Sequence, residues 1–220
     1  EQDKCAMKFA TDGVLLGSWA EGGKHILDIG TGTGLIALMM AQRFPNANID
    51  AIEIDSSAYL QAKENVQSSP FANQIEVNHC SLQTFSENKK SFDSIVCNPP
   101  YFVNSLKSND NNRTIARHSD TLPFNDLLKG AYQLLTSNGH FSLVLPIESY
   151  CILEPEAIIN GFSINKKVFI KTTPSKQPKR ILVELSKTPS AYLSSTEYLQ
   201  ECAGKKSNWY KEITKDFYLK

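Results

Sequence analysis

The sequence predicts an α/β fold: a mostly parallel sheet with helices packed on both faces. Three observations carry this expectation. An apolar strand at 25–29 runs directly into Gly30-Thr31-Gly32-Thr33-Gly34 and then a helix. The next strand closes on an acidic residue, Glu53. Further short apolar runs at 75–79, 93–97 and 140–145 alternate with helical stretches, which requires crossover connections and a sheet covered on two sides.

Taken in order, Thr11 or Asp12 is placed to cap a helical piece carrying Val14, Leu15, Leu16, Trp19 and Ala20, ended by Gly22-Gly23. After the glycine loop, the spacing of Leu35, Leu38, Met39 and Phe44 gives a helix that Pro45-Asn46 stops. The strand at 48–54 follows, and Asp55-Ser56-Ser57 caps a helix reaching about residue 68. Residues 104–112 are rich in Asn, Ser and Asp and read as a mobile surface loop. A helix at 124–135 buries Leu127, Leu128, Ala131, Leu134 and Leu135, and Asn138-Gly139 ends it. Pro146 ends the strand at 140–145, and a helix at 148–160 closes at Gly161. Residues 166–170 and 181–185 alternate weakly and pair across a basic loop. Residues 198–219 read as a terminal helix broken by Gly204, or as a segment adding a last strand. With neither repeats nor a linker, one domain is expected.

Composition narrows the class. The chain has 220 residues, 41% apolar and 21% charged, without an apolar run of about 18 residues or a signal-peptide pattern in its first 20. It begins at Glu1 rather than Met, so the N-terminus is read as incomplete. Cys5, Cys80, Cys97, Cys151 and Cys202 are scattered and never form a C-x-x-C pair, which fits reduced thiols in a cytoplasmic protein and argues against a structural zinc. Lys and Arg total 23, as do Asp and Glu, so the formal net charge is 0. The signs are not mixed evenly: Lys166, Lys167, Lys171, Lys176, Lys179 and Arg180 lie in a stretch with no acidic residue. That stretch suits either a polyanion or an ordinary solvated strand and loop.

The chemistry gathers where strands end. By the rule for open α/β sheets, Gly30, Glu53, Ser81 and Asn98 share one rim although they are distant in sequence. Glu53 lies 23 residues after Gly30, about the distance at which a carboxylate meets ribose hydroxyls. The glycines of a dinucleotide loop read G-x-G-x-x-G, whereas here the third comes one residue early. Asp28 sits inside an otherwise apolar strand, where a pyrophosphate would be repelled and a cationic ligand attracted. Asp28 has a second reading, as a brace hydrogen-bonded to loop amides. A phosphate-loop ATPase is disfavoured, since Gly34 is not followed by Lys and Ser or Thr. Asn98-Pro99-Pro100-Tyr101 must end its strand, because two prolines lack amide donors and fix φ. A stiff carbonyl, a side-chain amide and an aromatic ring suit recognition of a flat polar ring; a capped proline turn is the plainer alternative.

Leu27-Asp28-Ile29-Gly30-Thr31-Gly32-Thr33-Gly34 resembles the first motif of Rossmann-like S-adenosylmethionine-dependent methyltransferases. Asn98-Pro99-Pro100-Tyr101 is similar to the catalytic motif of enzymes that methylate exocyclic amines of adenine or the glutamine amide of release factors. Cys5-Ala6-Met7-Lys8 with Thr11-Asp12-Gly13-Val14-Leu15-Leu16-Gly17 resembles one branch, the tRNA adenine-N6 methyltransferases acting on position 37 of valine tRNA.

The resemblance implies a three-layer fold with a seven-stranded, mostly parallel sheet and a C-terminal antiparallel hairpin, residues 1–24 forming an N-terminal rim segment. It implies S-adenosyl-L-methionine as cofactor and a valine tRNA anticodon loop as partner, with neither metal nor membrane. Lys8, Thr11, Gly13, Asp28, Gly30, Gly32, Gly34, Glu53, Ile54, Ser81, Leu82 and Asn98 would line the cofactor. Many relatives carry Asp where this chain has Ser81, so the contact to the adenine amino group is expected to be weaker or water-mediated. Asn98 and Pro99 would accept the protons of the target amine, Pro100 would stiffen the turn, and Tyr101 would stack on the extruded base. Arg113, Arg117, His118, Lys171, Lys176, Lys179 and Arg180 are the candidate phosphate contacts. The same four-residue motif also serves ribosomal-RNA, DNA or glutamine-amide methylation, and an inactive RNA-binding module is the reading from another class.

Overall fold

The computed structural model describes residues 7–88, 90–100, 122–202 and 204–218, with the side chains of residues 7–10 left out. Along the chain these form α1 (Met7–Trp19), β1 (His25–Ile29), α2 (Leu35–Arg43), β2 (Asn48–Glu53), α3 (Ser56–Gln67), β3 (Ile75–His79), α4 (Leu82–Ser86) and β4 (Phe92–Cys97). After residue 121 come α5 (Phe124–Leu134), β5 (Leu135–Pro146), α6 (Ile147–Ile159), β6 (Ser163–Lys171), β7 (Arg180–Ser186) and β8 (Leu193–Tyr198). A short ribbon of β9 (Gln200–Cys202) and β10 (Lys205–Lys206) leads to α7 (Asn208–Thr214).

The main sheet has the order β3-β2-β1-β4-β5-β7-β6-β8. The first five of these strands run parallel; β7 is antiparallel to both β5 and β6. In register, Asp28 lies between Ala51 and Val96, the corresponding residues of β2 and β4. From β1 the chain first winds outward through β2 and β3, then returns to add β4 and β5 on the other side. The crevice at that reversal is where such sheets take ligands.

Alternation along the strands splits the core in two. Leu27, Ile29, Ile95, Phe141, Leu143 and Val183 face α4, α5 and α6. Ile26, Ile49, Ala51, Val96, Val144 and Leu182 face α1 and α2, joined by Tyr210 of α7. Both faces are thus dry, which explains why these strands read as nearly continuous apolar runs.

Several expectations are corrected. Among the described residues the sheet has eight strands rather than seven: β8 adds to β6 in parallel at the far edge. Its sequence Leu-Ser-Ser-Thr-Glu-Tyr is mostly exposed and lacks apolar alternation, so no period marks it. The terminal helix does not fill 198–219; the chain first forms the β9–β10 ribbon, and Ser207 then caps α7 by accepting from the Tyr210 amide at 3.0 Å. Helix α1 starts at Met7, so Thr11 and Asp12 are inside it rather than at its cap. Its other end is held by Arg43 Nη1, which donates to the carbonyls of Gly17 and Ala20 at 2.8 Å each. Strand β5 begins at Leu135, before Asn138-Gly139, because a register shift between the Phe92 and Ser94 pairings absorbs the turn-like residues. Helix α4, of 5 residues, is too short to show a period in the sequence. The expected loop at 104–112 lies outside the described residues.

At the end of the sheet remote from the crevice, Glu184 is buried between two basic groups. His140 Nδ1 lies 3.3 Å from Glu184 Oε1, close enough for charge attraction but not aligned as a hydrogen bond. Lys166 Nζ lies 3.3 Å from Glu184 Oε2 and 2.7 Å from Glu21 Oε1. Interaction with Glu184 raises the His140 pKa above its ordinary 6.5 despite partial burial. Against the cost of its own burial, Glu184 is held below its ordinary 4.5 by His140 and Lys166. The charged histidine therefore stabilises fully below pH 6.5, and that stabilisation is lost as pH rises through the higher folded value. Stabilisation by the ionised Glu184 is present above pH 4.5 and is lost as pH falls through its lower folded value. We expect His140→Gln to remove on the order of 0.5 kcal/mol of stability at pH 6 and much less at pH 9, a small effect because the ring is solvent-screened. Urea unfolding at the two pH values is the measurement; equal losses at both would contradict this account.

Candidate active site

The glycine loop leaves β1 beside the ends of β2 and β4. Gly30 and Gly32 have φ of 68° and 58°, a region that side chains with a Cβ rarely adopt. A Cβ on either would meet nothing within 4 Å, so open space lies directly over this backbone. The loop itself is tied down from below. The Gly30 and Thr31 amides both donate to the Ile52 carbonyl, at 2.9 and 3.0 Å. Glu53 Oε2 accepts from the Gly32 amide at 2.8 Å, while its Oε1 accepts from the amides of Ile54 and Asp55 at 2.8 and 2.9 Å. On the outer side Asn65 Nδ2 donates to the Thr33 carbonyl at 2.8 Å. Glu53 is therefore first a clamp on the loop, with lone-pair capacity left at Oε2 for a further donor.

Asp28 occupies a position where alternation calls for an apolar residue, and it is fully buried. Its Oδ2 accepts from the Thr31 hydroxyl at 2.6 Å and the Ala37 amide at 3.1 Å. Its Oδ1 has no hydrogen-bond partner among the described residues. Burial raises the carboxyl pKa to about 7, against the lowering effect of Thr31 and Ala37, with nearby Glu53 adding to the rise. The bracing reading of Asp28 is met at one oxygen, while the other is left for a donor that the described residues do not supply.

Asn98 follows the last residue of β4 and is half-buried, as Cys97 beside it is buried. Asn98 Oδ1 is also buried without a partner among the described residues. Two orphaned acceptors, one from β1 and one from β4, thus stand at the ends of adjacent strands at the crevice. Pro99 is buried and Pro100 exposed. Ile54, just past the Glu53 clamp, is 67% exposed, an unusual value for Ile and suited to covering a flat apolar surface. Its carbonyl lies 3.0 Å from His79 Nε2, and that ring stacks on Tyr59 with centroids 5.0 Å apart. Ser81 caps α4: its Oγ accepts from the Thr84 amide at 3.2 Å and lies 3.1 Å from Thr84 Oγ1. Leu82 opens that helix with its side chain buried.

Gly13 belongs to the same neighbourhood through α1. A Cβ there would lie 3.2 Å from Leu35 Cδ2, at the first residue of α2, so α1 runs close to the end of the glycine loop. Thr11 is half-buried on the same helix. Tyr101, Arg113, Arg117 and His118 lie outside the described residues, as does the Lys8 side chain.

The basic stretch is less available than its sequence suggests. Lys166 serves Glu184 and Glu21, and Lys167 pairs with Glu154 at 2.7 Å. Arg180 Nε donates to Asp12 Oδ2 at 2.8 Å. Lys171 Nζ donates to the Pro174 carbonyl at 3.4 Å. Lys176 and Lys179 are exposed, with no ion pair among the described residues. Sequence reading missed Thr31 as the partner of Asp28, although a hydroxyl three residues after a buried acid was a usable signal. It missed the Asp12–Arg180 pair for want of any signal, since 168 residues separate the partners.

A family model for the methyltransferase small domain matches residues 13–151. A tRNA1(Val) (adenine(37)-N6)-methyltransferase of Parabacteroides distasonis is 50% identical over 99% of this chain and 93% of that protein. A protein of the same name from Bacteroides thetaiotaomicron is 44% identical over 99% of this chain and 92% of its own length. Among solved structures, a predicted O-methyltransferase of Agrobacterium tumefaciens superposes with a TM-score of 0.72 at 18% identity, covering 93% of this chain and 95% of that one. That likeness concerns the fold alone.

Because the folded Asp28 carboxyl titrates near 7, its contribution to stability is present below pH 3.8 and lost as pH rises through about 7. We expect Asp28→Asn to unfold at higher urea than the parent at pH 8, by on the order of a few kcal/mol, with little difference at pH 4. A variant less stable than the parent at pH 8 would show that the loop-bracing oxygen outweighs the cost of the buried charge.

Proposed function

The chain belongs to the methyltransferase small domain family, and on that premise we propose that it methylates the exocyclic N6 amine of adenosine 37 in valine tRNA, using S-adenosyl-L-methionine. The observation that carries this reading is near-full-length identity of 50% to a protein bearing that name. When bound, S-adenosyl-L-methionine supplies a methyl group on a positively charged sulfur, ready for in-line displacement by a nitrogen lone pair.

What the chain must provide is a place for that cation and a correctly shaped amine. The partnerless, buried Asp28 Oδ1 fits the cationic amino-acid end, and the open backbone at Gly30 and Gly32 admits a ligand at close range. Glu53, its Oε1 committed to two amides, has room at Oε2 for a ribose hydroxyl, and exposed Ile54 offers a flat surface to an adenine. Ser81 spends its oxygen on Thr84, so it suits a weak or water-mediated contact rather than a strong one.

The adenine amine is a poor nucleophile because its lone pair is delocalised into the ring. Asn98 Oδ1, buried and unpartnered, is suited to accept one of its protons, and the Pro99 carbonyl the other. Two such bonds favour a pyramidal nitrogen with its lone pair directed at the methyl carbon. Once methylated, the nitrogen would be cationic and acidic, and its extra proton would depart to solvent. Tyr101 is assigned to stacking on the extruded base. Exposed Lys176 and Lys179, with Arg113, Arg117 and His118, are assigned to tRNA phosphates. No described helix is long and apolar enough to cross a membrane.

Transfer of tritiated methyl to total tRNA, followed by nucleoside analysis, tests the substrate. N6-methyladenosine in the valine isoacceptor is the expected product, and transfer to release factors alone would overturn the proposal. Asn98→Ala is expected to lower kcat by about 100-fold or more while the cofactor still binds; an active variant would refute the amide's role. Lys176→Glu with Lys179→Glu should weaken tRNA binding and flatten its salt dependence by about two charges, leaving cofactor affinity unchanged. Filter binding across a salt series reads both; an unchanged slope would remove these lysines from the interface.

A further inference from the structure

Asp12 is 4% exposed in the middle of α1, with Leu15 and Leu16 buried one turn on. Its carboxylate meets Arg180 Nε at 2.8 Å. The same guanidinium donates through Nη1 to the carbonyl of Lys179 at 3.0 Å. Arg180 is thus a fork, with one arm on the N-terminal helix and the other on the backbone of the basic turn between β6 and β7.

Both arms end at the rim. Arg180 opens β7 opposite Pro146, the last residue of β5, and opposite Ile170 near the end of β6. The Lys179 amide donates to the Ile170 carbonyl at 3.0 Å, so that residue is held at both its amide and its carbonyl. On the other side, Gly13 packs against Leu35, one residue beyond the glycine loop, and Gly17 packs against Met39 of the same helix. One ion pair therefore connects the turn bearing the exposed lysines to the helix beside the glycine loop.

Stability alone is a weak account of this arrangement. Burial raises the Asp12 pKa above its ordinary value, and Arg180 only partly offsets that. A buried ion pair of this kind seldom outperforms apolar side chains of similar volume, whereas its directionality can fix one geometry among several.

We propose that Asp12 and Arg180 form a positioning pair for methyl transfer: the Arg180 fork holds the backbone of Lys179 in register with the glycine-loop rim, so that a phosphate chain docked on the turn presents its target base to the cofactor. This rests on the proposed reaction with valine tRNA. The role assigned to the pair is positioning, exerted through the lysine turn and α1 rather than on the reacting atoms.

The test is a double-mutant cycle with Asp12→Asn, Arg180→Gln and both together, assayed for methyl transfer to valine tRNA, with cofactor-product binding measured by calorimetry. Each single variant is expected to raise the KM for tRNA about tenfold and lower kcat severalfold, with the double variant no worse than either. Binding of S-adenosylhomocysteine should change less than about twofold. In the Arg180→Gln background, Lys179→Ala should add little, whereas in the parent it should raise the KM by itself. An inactive parent would sink the proposed reaction and leave the pair without this role. With an active parent, unchanged tRNA kinetics in Arg180→Gln would overturn the positioning role. So would equal losses of tRNA kinetics, cofactor-product binding and thermal stability in both single variants, because a merely structural pair behaves that way.

Discussion

The structure depends on how the end of β2 grips the loop that follows β1. Three backbone amides converge on the two oxygens of Glu53, and two more loop amides rest on the Ile52 carbonyl next to it. A loop with left-handed residues at Gly30, Gly32 and Gly34 would otherwise sample many conformations, since glycine gives it the freedom to do so. Anchoring it through one carboxylate turns a flexible sequence into a fixed floor with open space above. The helix behind the loop, the strand beside it and the rim opposite are all located relative to that floor. Nearly the same set of interactions explains why an acidic residue closes β2 even before any ligand is considered.

Asp28 follows a different logic one strand away. It stands in the apolar middle layer with one oxygen bonded and one not, and its pKa near 7 records the cost of keeping a carboxylate there. Asn98 repeats the pattern with a neutral acceptor. Buried acceptors without partners are rare in folded proteins, because each forfeits its hydration for nothing. Two stand at the ends of neighbouring strands, at the crossover reversal where open sheets of this kind take ligands, and each awaits a donor that the described residues do not supply.

How much of this was legible follows from where each signal resides. The β1–loop–α2–β2 unit and Glu53 were readable because glycine spacing, strand periodicity and the acidic terminus are local and carry their meaning in about 25 residues. Asn98 was readable because consecutive prolines punctuate a strand unmistakably. What failed was information held across the chain. Strand β8 forms because β6 offers a free edge, not because Leu193–Tyr198 has a strand pattern. The start of β5 at Leu135 depends on a register shift against β4, which overrides the turn preference of Asn138-Gly139. Thr11 and Asp12 looked like cap residues, yet α1 continues back to Met7, and Asp12 instead meets an arginine from the opposite end of the chain.

The same partner-finding changes the meaning of the basic stretch. Six positive residues between 166 and 180 suggest a strong electrostatic surface when counted along the sequence. In the fold, Lys166, Lys167 and Arg180 face carboxylates and Lys171 donates to the Pro174 carbonyl, leaving Lys176 within the turn and Lys179 at its base to solvent. Two such charges on a protein of zero net charge give little general affinity for a polyanion, since that affinity grows with each phosphate neutralised. A polyanion meeting these two lysines would then be selected more by shape and by the position of the turn relative to the crevice than by their charge. An arginine that holds the turn in place is worth more to such a protein than one more cation on its surface.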